Sequence, residues 1–178
     1  LSTGRLTSRL RIREREERER EKKTNALFLY SRAIGSASDV PSLISVAAGQ
    51  ISQIMGVRLA VMAPEGGGGK LRLWETGGED AMDEKEWSVA VWCMEHRRPA
   101  GRFTDTIPVA EGFYLPMMSG ERCMGVLGVR PEEGACLTAG QQALLESMRE
   151  QLAMALEREE LRAERARTRL VEESEKRH

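Results

Sequence analysis

The sequence predicts a mixed α/β domain of the α+β kind, an antiparallel sheet with helices on one side, set between two long charged helices. Three observations lead there. The chain opens and closes on helical stretches made largely of Arg, Glu and Lys. Between them the apolar runs come in pairs joined by short glycine-bearing turns, the pattern of hairpins. The elements follow in the order helix, helix, strand, strand, helix, strand, strand, long helix, which is not the alternation that builds a parallel βαβ array.

The first helical pattern runs from about Leu6 to Ile34. Within it, Arg11 to Lys23 holds Ile12 as its single apolar residue and cannot bury a core. Its charges are arranged for a helix all the same: Glu14 and Arg18, Glu16 and Arg20, and Glu19 and Lys23 are acid-first pairs four residues apart, each contributing about 0.2–0.5 kcal/mol. Leu27, Tyr30 or Ser31, and Ile34 then resume an apolar stripe, so this rod docks onto the domain at its C-terminal end. Gly35 to Asp39 forms a break, Ser38 or Asp39 caps the next helix, and Pro41 fits its first turn. That second helix buries Leu43, Ile44, Ala47, Ile51, Ile54 and Met55.

Val57 to Ala63 is a short apolar run stopped by Pro64, the pattern of a central strand. Gly66 to Gly69 is a turn, and Leu71 and Leu73 alternate with Arg72 and Trp74 in the returning strand. From Asp83 to His96 the period is helical again. Trp87, Ala90, Val91 and Met94 share one face and Val89, Trp92, Cys93 and His96 another, while Asp83 and Glu86 approximate a capping box. Phe113 to Met118 and Cys123 to Val129 form a second hairpin across Ser119, Gly120 and Glu121. Thr138 and Gln141 make the T-x-x-Q capping box of the last helix, which meets no breaker before the end. One heptad frame along it places Leu145, Arg149, Leu152, Leu156, Glu159, Ala163, Ala166 and Leu170 on a degraded coiled-coil seam.

Composition excludes several functions. Lys and Arg number 27 against 28 Asp and Glu, for a net charge of −1, so no global field draws nucleic acid or an acidic membrane. No apolar run reaches the roughly 18–20 residues that span a bilayer, and no signal peptide is visible, so the chain is expected to be water-soluble. Cys93, Cys123 and Cys136 stand in no metal-binding or disulfide pattern, which fits a reducing compartment. The chain starts on Leu1 rather than Met and is still helical from Val171 to His178; a piece of a longer protein is expected.

Few residues offer chemistry. The GGGGK run is not a phosphate loop, because Pro64 and Leu71 occupy positions where a Walker motif needs Gly and Ser or Thr; it reads as a hairpin turn. Cys93 has one possible base, His96, three residues away, and buried cysteine is usually inert packing. The loop Ala100 to Pro108 is crowded with hydrogen-bonding groups. Arg102, Thr104, Asp105 and Thr106, with Trp87, Trp92 and Tyr114, form a candidate ligand site; the alternative is that the loop residues tie down their own backbone. No catalytic residue and no metal site emerges.

The strings HRRPAGRFTDTIP, FYLPMMSGERCMGVLGV and LTAGQQALLESMREQLAMALEREEL, with the flanks TSRLRIRERE and TNALFLYSRAI, closely resemble the GAF-like region of KdpD-type sensor histidine kinases, over nearly the whole chain. The resemblance implies a division into a charged linker helix at 1–24 that follows a membrane helix, a GAF-like sensor domain at 25–137, and a helix at 138–178 that leads toward the phosphoacceptor helices. By this likeness the chain is a cytoplasmic domain of a bacterial inner-membrane protein that senses potassium limitation or osmotic stress. The parent would be an ATP-dependent protein-histidine kinase acting on a response regulator, with ATP and Mg in a kinase domain outside this chain and no cofactor here. His178 lacks the sequence context of a phosphoacceptor.

The resemblance, joined to the seam on the last helix, leads to a signal-relaying homodimer that contacts the adjacent membrane and kinase domains of its own chain and no nucleic acid. Two alternatives stand beside it. GAF domains elsewhere hold small molecules between the sheet and its loops, although no known ligand motif is visible here. A GAF-type methionine sulfoxide reductase would use cysteines on the same fold.

Overall fold

The computed structural model describes residues 2–66, 68–76 and 82–178. Leu1, at the start of the predicted linker, and Gly67, within the predicted turn, lie outside them.

Helix α1 spans Ser2–Gly35 without interruption. Residues 3–25 are exposed, whereas Tyr30 and Ile34 are buried, as the change from charged to apolar spacing predicts. Helix α2 covers Val40–Met55, and Asp39 proves to be its cap, accepting the Ser42 N–H at 2.8 Å. Strand β1 (Arg58–Pro64) and strand β2 (Leu71–Thr76) form the first hairpin, with Ala63 opposite Arg72. Helix α3 (Glu84–His96) follows. A two-residue strand β3 (Ala100–Gly101) pairs with β4 (Phe113–Ser119), and β4 turns into β5 (Arg122–Arg130) across Gly120 and Glu121. Helix α4 runs over Ala139–Lys176 and carries both halves of its capping box: Thr138 Oγ1 accepts the Gln141 N–H at 3.2 Å, and Gln141 Oε1 accepts the Thr138 N–H at 2.9 Å.

The five strands form one antiparallel sheet in the order β2-β1-β5-β4-β3. Alternate residues divide between two cores, as the period of two along a strand requires. Val61, Leu115, Leu127 and Val129 face the larger core with α1, α2 and α4, while Met62, Tyr114 and Val126 face a smaller one with α3. The expected placement of helices on one side therefore holds for α1, α2 and α4, and α3 covers the other face. The face of α3 that reaches the sheet is Glu86, Val89, Ala90 and Cys93; it takes one member or more from each stripe read in the sequence, because the sheet meets the helix between them.

Helices α1 and α4 pack side by side and parallel. Tyr30 Oη donates to the Met148 carbonyl at 2.9 Å, Ser31 Oγ donates to Gln151 Oε1 at 2.5 Å, and Lys23 Nζ lies against Gly140 near the start of α4. Partners thus advance together along both helices. The exposed part of α1 extends beyond the start of α4, and the exposed part of α4, residues 161–178, extends beyond the end of α1. At 1.5 Å per residue each free segment reaches roughly 25–35 Å. The two rods leave the domain at opposite poles.

Candidate functional site

Asp83 caps α3 by accepting the Glu86 N–H at 2.7 Å. The Glu86 side chain does not return the bond, so the predicted capping box is only half made. Its carboxylate turns toward the sheet instead, where it is 1% exposed. Oε1 accepts the Glu111 N–H at 2.9 Å, and Oε2 accepts the Gly112 N–H at 3.0 Å and the Tyr114 hydroxyl at 2.5 Å. Arg130 Nη2 stands 4.0 Å from Oε2 and 3.3 Å from Glu111. A charge buried to this degree survives only when paired and hydrogen-bonded, and Glu86 is both. Burial and the Glu86 contact together push the Tyr114 phenol well above its ordinary pKa, so Tyr114 remains a donor. Glu86 and Arg130 were not among the expected site residues. The available signal was a carboxylate one turn before Val89 and Ala90, in register with an apolar stripe.

The expected ligand residues divide between two environments. Tyr114 is buried, and Trp87 and Trp92 are half-buried, all packed in the smaller core. Trp92 stacks on His96 with ring centroids 4.1 Å apart. The loop residues are occupied locally. Thr104 Oγ1 lies 2.7 Å from the Gly101 carbonyl and 2.8 Å from the Thr106 carbonyl, and it accepts the Thr106 N–H at 3.1 Å. The Arg102 guanidinium lies over the Phe103 ring at 5.0 Å, and Asp105 is exposed. The Thr104 hydroxyl is thus engaged within the loop, with the Thr106 backbone as its partner.

Burial raises the Cys93 thiol to about 12, and His96 directs Nδ1 at the Trp92 carbonyl, 2.9 Å away. The two form no nucleophile and base. Cys123 is half-buried and Cys136 exposed, and among the described residues no cluster suits a metal ion. No described helix is long and apolar enough to cross a membrane.

The seam on α4 lies in two settings. Leu145, Leu152, Leu156 and Glu159 are buried against the chain's own domain and Arg149 is half-buried, whereas Ala163, Ala166 and Leu170 are exposed. Glu159 accepts from Arg162 at 2.9 Å and Arg158 at 3.3 Å. At this exit point Ser119 donates to Glu157, and Arg122 bonds Glu160 at 3.2 Å, so the β4–β5 turn is tied to the helix as it leaves. A groove of about 730 Å³ opens beside it, walled by Pro64, Trp74, Cys123, Leu156 and Arg167.

No family model matches the chain. It is 30% identical over 176 residues to the sensor protein KdpD of Escherichia coli strain K12, covering 98% of this chain and 19% of that protein. To the sensor protein KdpD of Clostridium acetobutylicum it is 26% identical over 180 residues, covering 97% of this chain and 20% of that protein. The chain thus spans about a fifth of the length of the curated relatives it matches. Among solved structures it is similar to the native GAF domain of the potassium sensor histidine kinase KdpD from E. coli, with a TM-score of 0.67 and 30% identity, covering 79% of this chain and 97% of that one.

Proposed function

This chain belongs to the GAF domains of KdpD-type sensor histidine kinases, and from that premise we propose that it relays a conformational signal along its own axis, from a membrane-proximal helix to a kinase core. The observation that carries this reading is the parallel contact of α1 and α4, which sends the rods out at opposite poles. A displacement of α1 reaches α4 through Tyr30 and Ser31 directly, without passing through the sheet. The ties from Ser119 and Arg122 to α4 let the sheet follow or resist that movement.

In this proposal the domain works in a homodimer. The parent kinase responds to potassium or osmotic stress, takes ATP and Mg in its kinase domain and phosphorylates a response regulator. The exposed half of the α4 seam, Ala163, Ala166 and Leu170, would meet its counterpart in the second copy, and the small residues there permit the helices to shift between two packings. Small-molecule sensing by the loop is the less supported reading, because the Thr104 and Tyr114 hydroxyls already hold partners inside the chain.

The experiment is made in the full-length kinase. Deleting residues 1–23 is expected to leave the domain folded and to uncouple kinase activity from potassium. A truncated kinase that still responds normally would sink the relay.

A further inference from the structure

Residues 102–112, between β3 and β4, form a strap held in a conformation that its backbone resists. Phe103 has φ of 67° and Ile107 has φ of 55°, the left-handed region, where a β-branched residue is an outlier. Such conformations persist only where the surroundings over-determine them.

Part of the restraint is the strap's own turns, with the Gly101 N–H bonded to the Thr106 carbonyl and the Ala110 N–H to the Ile107 carbonyl, and part comes from α3. Lys85 Nζ donates to the Val109 carbonyl at 3.1 Å, and the Glu86 carboxylate receives the successive N–H groups of Glu111 and Gly112, one on each oxygen. The strap can approach this closely because Gly112 has no side chain: a Cβ there would lie 2.8 Å from Tyr114 Oη. Two adjacent amides and a hydroxyl donate to the two oxygens of one group, and a guanidinium stands 4.0 Å away as a balancing charge. All are donors, and an ionised carboxylate is the side-chain group that only accepts. Successive backbone amides aimed at one point are a recurrent anion receptor.

We propose that the Glu111 and Gly112 amides, the Tyr114 hydroxyl and Arg130 form a carboxylate-binding cradle in which Glu86 is a tethered ligand, and that its occupancy holds the strap closed over the sheet. The cradle accepts a small free carboxylate once the tether is gone, and an empty cradle releases the strap. This inference stands apart from the relay.

The test is hydrogen exchange, followed by mass spectrometry, on the 178-residue chain and its Glu86→Ala and Glu86→Gln variants. In Glu86→Ala the amides of the strap are expected to exchange about tenfold faster or more, the factor that loss of a charged hydrogen bond brings, while α1, α2 and α4 keep their protection. Sodium acetate should restore the strap, and sodium chloride at equal ionic strength should not. The unsubstituted chain should ignore acetate, because a tethered group outcompetes a free one. Strap exchange that is unchanged in Glu86→Ala, or acetate that does no more than chloride, overturns the proposal. Should Glu86→Ala fail to fold, Glu86→Gln and Tyr114→Phe decide: acceleration confined to the strap supports the cradle, and acceleration that is absent or uniform across the domain refutes it.

Discussion

Glu86 occupies the third position of α3, where a local rule predicts a bond back to the helix start. The structure sends it across to amides of residues 111 and 112, because a carboxylate on the apolar face of a helix must find donors within the core. The sequence places Glu86 only in a capping box; its spacing to Val89 and Ala90 is compatible with burial, but its partners depend on how α3 meets the sheet, which no local pattern encodes. Tyr114, an expected ligand residue, donates its hydroxyl to the Glu86 carboxylate. Cys93 yields a direct prediction. Its pKa, pushed up to about 12 by burial, leaves the thiol neutral near pH 8, whereas Cys136 is exposed. Iodoacetamide at pH 8 should therefore label Cys136 and spare Cys93, as read by peptide mass spectrometry. A raised folded pKa means that the stabilisation is complete below the unfolded value, about 8.5 for a thiol, and is lost as pH rises toward the folded one. Thermal stability should accordingly fall on going from pH 8 to pH 10, and less so in Cys93→Ala.

Hairpins and caps were the most readable elements, since their determinants lie within a few residues. The Thr138 and Gln141 box appears with both bonds, and Asp39 caps α2. Replacing Thr138 with Ala should cost about 1 kcal/mol in urea denaturation without moving any other element. Tyr30→Phe tests a longer-range link: it removes the bond from α1 to the Met148 carbonyl and should cost about 1 kcal/mol. Loss of protection in the α1 segment around Tyr30 would accompany it. The strand β3 escaped the sequence reading because two residues carry no period, and its pairing with β4 is set by the strap. The charged part of α1 was legible as a helix from its acid-first pairs. That it continues unbroken into the docked part follows from the absence of Gly and Pro between Arg5 and Ile34, which leaves the backbone no place to break.

For the molecule as a whole, the sequence could not separate a helix that buries its seam in its own domain from one that offers it to a second copy. Both have nearly the same period, and α4 does the first over Leu145–Leu156 while leaving Leu170 and Val171 exposed. Leu6 and Leu10 are exposed likewise on α1. If the proposed dimer forms through the rods, Leu170→Glu with Val171→Glu should weaken it by about tenfold or more, given about 0.8 kcal/mol per buried methylene, in sedimentation equilibrium. The circular dichroism of the domain should stay unchanged. The parallel register of α1 against α4 has a further, mechanical meaning. Tension between the two chain ends pulls the helices past one another in shear, so the contacts from Lys23 and Gly140 to Ser31 and Gln151 share the load at once. An antiparallel pair pulled from neighbouring ends would instead unzip contact by contact under a much smaller force. Axial load is therefore carried by the α1–α4 contacts together, in shear, and not by one contact at a time.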